Sequence, residues 1–181
     1  MNIAPEKLIK TLREQYGSDI GVCEHTDDVG TNDIFIAFDK NGEHIVEALR
    51  KGAIAVVCDQ AEVMSITAPH VDNVYGVENI EKYAFELVQL VYADTLAGLS
   101  LVGITGTNGK TSTAYFACQL FKGLGAKTGY LGTIGYGVVG EEVRPARNTT
   151  PDFVTLYRNL ASLAHSGCRR VVMEVSSHGI A

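Results

Sequence analysis

Apolar and polar positions along this chain switch repeatedly between a helical period and short apolar runs. Pro5 to Tyr16 has Leu8, Ile9, Leu12 and Tyr16 on one helical face, with proline where a first turn accepts it. Ile20 to Cys23 reads as a short strand and Asp33 to Phe38 as a stronger one, followed by a turn at Asp39-Lys40-Asn41-Gly42. Glu43 to Lys51 returns to helical spacing, and Ala53 to Cys58 is an apolar run of buried-strand type. Asn73 to Val77 predicts another strand, and Asn79 to Thr95 a longer helix with Tyr83, Leu87, Leu90 and Val91 in register. The second half repeats the theme. Strands are expected at Leu99 to Ile104, Thr128 to Leu131 and Arg170 to Val175, with helices at Lys110 to Leu124 and Asp152 to Ser166. Strands alternating with helices imply an α/β protein built on parallel sheet with helices on both faces.

Composition divides this pattern in two. Hydrophobic residues make up 46% of the 181 positions and charged residues 20%, as in ordinary globular proteins, and the net charge of −6 argues against a nucleic-acid binder. Residues 1–97 carry a balance of −10 and residues 98–181 a balance of +4, and 13 of the 19 glycines fall in the second stretch. We therefore expect two domains, 1–97 and 98–181, with phosphate chemistry in the Gly-rich basic one. The four cysteines are scattered with no CxxC pair, which reads as reduced, buried thiols. The N-terminus lacks a signal-peptide core, and no apolar run approaches the ~20 residues of a membrane span, so a cytoplasmic protein with no membrane partner is expected.

The strongest local signal is Gly103-Ile-Thr-Gly-Thr-Asn-Gly-Lys-Thr111, placed between an apolar strand and a helix. Glycines let successive amides turn toward phosphate oxygens. The helix N-terminus adds partial positive charge, Lys110 a mobile cation, and Thr111 a hydroxyl suited to Mg²⁺. The loop departs from GxxxxGK[ST], because Ile104 stands where the first glycine belongs; the working unit is Gly106, Thr107, Asn108, Gly109, Lys110 and Thr111, with Ser112 next. Two further motifs are Arg147-Asn-Thr-Thr-Pro-Asp152 and Met173-Glu-Val-Ser-Ser-His178. In the first, Thr150 is a candidate helix cap with Pro151 at the first helical position; capping does not require Asn148 and Thr149 as well. The second ends a buried strand, where ligands collect in open α/β sheets. Glu174 there either completes a Mg²⁺ site with Thr111 or is a satisfied, half-buried carboxylate.

GTNGKT, YLGTIGYG, NTTPD and MEVSSHG, in this order, resemble the Mur ligase and folylpolyglutamate synthetase superfamily of ATP-dependent amide ligases. The resemblance is dense over residues 99–181 and looser before, through DIFIAF and KGAIAVVCD. It implies a small N-terminal domain that holds the UDP of the substrate, followed by the first part of a P-loop-type central domain that holds ATP and Mg²⁺. It implies also that UDP-N-acetylmuramoyl-L-alanyl-D-glutamate is extended by lysine or diaminopimelate, through a phosphorylated carboxylate attacked by an amine. Lys110 and Glu174 would then be catalytic, with Mg²⁺ on Thr111 and Glu174. Asn148, Thr149, Thr150 and Ser176, and with a smaller stake His178, would contact the muramoyl-peptide.

Three departures from the pattern bear on this. Where the family has an Asp-Ser-Arg element the chain reads His25-Thr26-Asp27, so Thr26 stands for the serine and the arginine position is acidic. The loop after DIFIAF is short. The sequence stops just after SSHG, before positions matching the family's carbamylated lysine and amino-acid domain, so a fragment without ligase turnover by itself is expected. Two rivals stay open: a Mur-like amide ligase with a different acyl substrate, and a nucleotide-binding module without catalysis.

Overall fold

A computed structural model describes residues 3–38, 42–63 and 71–176. The turn expected at Asp39-Lys40-Asn41 and the candidate residue His178 lie outside the described residues. The chain separates into two compact units, Met1–Tyr92 and Ala93–Ala181.

The first unit carries a four-stranded, wholly parallel sheet in the order β1-β2-β3-β4, from Gly21–Cys23, Asp33–Ala37, Ala55–Asp59 and Val74–Val77. Its helices are α1 (Pro5–Tyr16), α2 (Gly42–Lys51), the short α3 (Gln60–Val63) and the part of α4 (Ile80–Leu96) up to Tyr92. Alternation along β2 sorts its side chains. Phe35 and Ala37 join Ile45 and Ala48 of α2 in one cluster, while Ile34 and Ile36 point to the other face and are buried as well. A strand buried on both faces favours apolar residues throughout, which explains the unbroken run IFIA; the buried Asp33 before it accepts the Gly30 N–H at 2.7 Å. Proline at the start of α1 and buried Leu8, Ile9 and Leu12 agree with the sequence. Arg13 of α1 donates to the Val91 carbonyl of α4 at 3.3 Å. The buried Tyr92 hydroxyl accepts the Val22 N–H at 2.9 Å and so ties α4 to β1.

The second unit carries a five-stranded sheet in the order β5-β9-β6-β7-β8. The strands are β5 (Ser100–Ile104), β6 (Thr128–Gly132), β7 (Gly135–Val138), β8 (Val143–Arg144) and β9 (Arg170–Glu174), and the helices α5 (Lys110–Gly123) and α6 (Phe153–His165). β5, β9 and β6 run parallel, as expected; β7 and β8 add an antiparallel extension that the sequence pattern did not indicate. Alternation again decides the faces. Tyr130 and Val172 pack with Ala114 and Cys118 of α5, whereas Leu131, Val171 and Met173 pack with Leu160 and Leu163 of α6. The two helices therefore cover opposite faces. β5 is an edge of this sheet, with Leu101 half exposed, and α5 leaves Phe116 and Leu120 largely in solvent, where its C-cap residue Leu124 also lies. All four cysteines are buried free thiols, and burial pushes the Cys118 thiol up to about 11. Among the described residues no helix is long and apolar enough to cross a membrane.

The cap of α6 differs from expectation. Asp152, not Thr150, takes the N-cap position and accepts the Thr155 N–H at 2.7 Å, which moves Pro151 ahead of the helix and leaves the Thr150 hydroxyl available elsewhere.

Tyr92→Phe removes the only atom that this side chain offers to the Val22 amide, leaving a buried donor without that acceptor. We expect a loss of about 1–3 kcal/mol in urea unfolding, read as a lower midpoint at unchanged slope.

Candidate functional site

The site is assembled by three strand ends. β5 and β9 pair with Ile104 opposite Glu174, and β9 and β6 pair with Leu131 opposite Met173, so Ile104, Glu174 and Gly132 finish side by side. The connections that leave these carboxyl ends, residues 105–109, 133–134 and 175–176, consequently start from one rim.

The first of them is the candidate phosphate loop. Gly106 (φ +148°) and Gly109 (φ +80°) hold backbone conformations that side chains disfavour, and Gly109 is the N-cap of α5. Gly106, Thr107, Asn108 and Gly109 are exposed, and Ser112 is exposed in the first turn of the helix. Lys110 donates from Nζ to the Gly106 carbonyl at 2.8 Å, so its ammonium lies folded back over the loop. The Thr111 side chain comes from the same first turn, where the helix dipole is positive.

Glu174 lies where the strand register sends it. Period-two alternation puts it on the face of Tyr130 and Val172, the face covered by α5, and it is fully buried. Its Oε2 accepts the Thr111 hydroxyl at 2.8 Å and the Thr133 hydroxyl at 3.2 Å. Its Oε1 accepts the Thr133 N–H at 2.9 Å and the hydroxyl of Tyr130. Burial pushes the carboxyl up, but the bonds from Tyr130, the Thr133 amide, Thr111 and the Thr133 hydroxyl outweigh it, so the group is held below the usual carboxylate value. The Tyr130 hydroxyl is raised, first by burial and then by its bond to Glu174. Gly132 makes this geometry possible: a Cβ there would overlap Glu174 Oε1 and the Tyr130 hydroxyl.

The Asn148–Thr150 stretch closes on the same strand end. Thr149 Oγ1 lies 3.1 Å from Thr133 Oγ1. Thr150 Oγ1 accepts the Ser176 N–H at 2.9 Å and lies 3.1 Å from Ser176 Oγ and 3.3 Å from the Glu174 carbonyl. Thus Thr111, Thr133, Thr149, Thr150, Glu174 and Ser176 form one connected polar group. Asn148 is exposed beside it. Tyr130, Gly132 and Thr133 were not singled out from the sequence, although YLGTIGYG contained them. An aromatic residue in an apolar run reads as core until the register reveals what its hydroxyl meets.

Thr26 belongs to the first unit. It opens a 3-10 turn, Thr26–Asp28, and hydrogen-bonds Glu47, while Asp27 and Glu47 both pair with Lys51 at 3.4 and 2.8 Å. Its surroundings are mixed in charge rather than basic.

Residues 104–181 match the family described as the Mur ligase middle domain. The chain belongs to the Mur ligase family. It is similar to the UDP-N-acetylmuramoyl-L-alanyl-D-glutamate--2,6-diaminopimelate ligase of Phocaeicola vulgatus, at 38% identity over 140 residues, or 76% of this chain and 28% of that one. A ligase of the same name from Pseudomonas aeruginosa is 39% identical over 137 residues, again 76% of this chain and 28% of that one. A solved structure of a ligase with that name superposes with a TM-score of 0.61 at 25% identity, covering 99% of this chain and 37% of the other. The chain thus spans about 28% of the length of these Mur ligase sequences.

The depressed carboxyl of Glu174 has a signed consequence. It contributes stability that is present above the ordinary value of 4.5 and is lost as pH falls through its lower folded value. In EDTA, the urea midpoint should fall as pH is lowered from the ordinary value of 4.5, and Glu174→Gln should flatten that dependence. The variant should also start less stable, because an amide offers one acceptor oxygen to the four donors. Equal slopes in the two proteins would count against the geometry. Gly132→Ala should cost about 1–3 kcal/mol in the same assay, since its methyl must displace Glu174 or Tyr130.

Proposed function

We propose that this chain supplies the nucleotide-binding core of an ATP-dependent amide ligase, and that residues 1–97 form its UDP-substrate domain. In this reading the ligase extends UDP-N-acetylmuramoyl-L-alanyl-D-glutamate, and the names of the relatives favour diaminopimelate over lysine as the amino acid. The observation that carries the proposal is the 2.8 Å bond between Thr111, in the first turn after the phosphate loop, and the buried anionic Glu174.

These two oxygens fit a Mg²⁺ ion chemically, being a hydroxyl and a carboxylate, the hard donors that ion selects. Bound there, Mg²⁺ would neutralise charge on the phosphoryl group being transferred. The chain's own groups have distinct tasks. The Gly106–Gly109 amides and the α5 N-terminus receive the nucleotide phosphates. Lys110 exchanges the Gly106 carbonyl for a phosphate oxygen, a short swing from its position over the loop. The acyl carboxylate and the phosphate repel each other, so they must be aligned by donors that do not move. Thr149, Thr150 and Ser176, with Asn148 beside them, are suited to that alignment because bonds tie Thr150 to the end of β9 and to Ser176, and Thr149 to Thr133.

One observation favours a second reading. Asp27 and Glu47 beside Thr26 make a poor seat for a diphosphate, which supports a Mur-type ligase with a different acyl substrate. Thermal-shift titration with UDP and with UDP-muramoyl-dipeptide separates the two: stabilisation by the dipeptide supports the first, and none by either supports the second.

Calorimetric titration with ADP and Mg²⁺ tests the nucleotide site. Lys110→Ala should weaken ADP about ten- to a hundredfold, as expected for loss of a charge-assisted bond. Unchanged affinity would remove the loop from the proposal.

A further inference from the structure

The polar group around Glu174 contains two residues that the functional reading leaves without a task, Tyr130 and Thr133. Resting on the reading of Thr111 and Glu174 as a cation site, we infer that Tyr130 and Thr133 are positioning residues that commit Glu174 Oε1 to the protein and leave only Oε2 to face a divalent cation.

The argument is one of lone pairs. A carboxylate oxygen has about two acceptor sites. Both sites of Oε1 are taken, by the Tyr130 hydroxyl and by the Thr133 N–H at 2.9 Å. A backbone amide cannot turn away, and Tyr130 is buried with its ring packed among Ala114, Cys118 and Val172. Oε1 is therefore a fixed attachment. Oε2 has a different kind of partner: two threonine hydroxyls, Thr111 at 2.8 Å and Thr133 at 3.2 Å. A hydroxyl carries one proton and two lone pairs and rotates about its C–O bond, so it changes from donor to acceptor without moving its oxygen.

Releasing Oε2 needs somewhere for the displaced proton to point. Thr133 has such an acceptor, because Thr149 Oγ1 lies 3.1 Å away. When a cation takes Oε2, the Thr133 hydroxyl turns to Thr149, and the cation carboxylate becomes linked to the threonine pair proposed to align the acyl substrate. Gly132 permits the approach on which this depends, since any side chain there would occupy the space of Oε1 and the Tyr130 hydroxyl. Outer groups of this kind commonly decide how well a ligand oxygen is presented to a metal.

Mn²⁺ is the probe, with free Mn²⁺ followed by electron paramagnetic resonance in titrations of the ADP-bound protein. Tyr130→Phe, which removes one oxygen and keeps the ring, should weaken Mn²⁺ roughly tenfold while ADP affinity in EDTA stays unchanged. Thr133→Val keeps the amide on Oε1 and removes a hydroxyl that competes for Oε2, so it should bind Mn²⁺ more tightly than the wild type, and Thr133→Ser should return the wild-type value. Should Tyr130→Phe not fold, the exposed Thr133 pair decides the matter alone. Wild-type Mn²⁺ affinity in Tyr130→Phe, or Mn²⁺ affinity in Thr133→Val no tighter than in the wild type, overturns the inference. Wild-type protein that binds ADP but no Mn²⁺ overturns it together with the cation site, and failure to bind ADP overturns the functional reading itself.

Discussion

A carboxylate sealed inside the second unit is the constraint from which its polar architecture follows. Burying an ionised group costs several kcal/mol unless its lone pairs are satisfied, and here donors from three separate segments converge on one side chain. Tyr130 comes from β6, Thr133 from the turn after it, and Thr111 from the start of α5. The carbonyl of the same residue is met by Thr150. Glu174 thus joins the sheet, the first turn of α5 and the Asn148–Thr150 stretch. Local glycines serve this junction, by turning the backbone at Gly106 and Gly109 and by leaving room at Gly132.

The two units solve different problems with similar parts. In the first, four parallel strands are apolar on both faces, and polar contacts such as Tyr92 with Val22 secure a helix to a strand. In the second, the strands are equally apolar through their middles and change character only at their carboxyl ends. That change is abrupt along β9: Val171, Val172 and Met173 are core, and the next residue is the anion. Parallel pairing then does what no single motif does, by bringing three such ends to one rim.

Periodicity and short motifs made much of this legible beforehand. The strand at β2 and the helix at α1 follow from spacing alone, and the loop that opens α5 announces itself through glycines followed by Lys110 and Thr111. The pairing of Thr111 with Glu174 was anticipated because a carboxylate ending an apolar strand is unusual chemistry. What escaped depended on relations between segments. The β7–β8 hairpin was missed because its strands are short and glycine-rich, with Val143–Arg144 only two residues long. Thr150 was read as a cap because it precedes Pro151, yet Asp152 performs that task and the threonine turns toward Ser176. Tyr130 carries no local sign of its partner, since only the register between β6 and β9 brings its hydroxyl to Glu174.

The missing side chain at Gly132 has a consequence for how this protein can change over generations. Positions 132 and 174 share one volume, so neither is free to drift while the other stays. A shorter acidic residue at 174 would withdraw from Tyr130 and open a hole, whereas any side chain at 132 would evict the carboxylate. The route between two working sequences therefore passes through a double substitution. In descendants of this chain the two positions should be inherited as a unit, with the hydroxyl at 130 as the third member of the set.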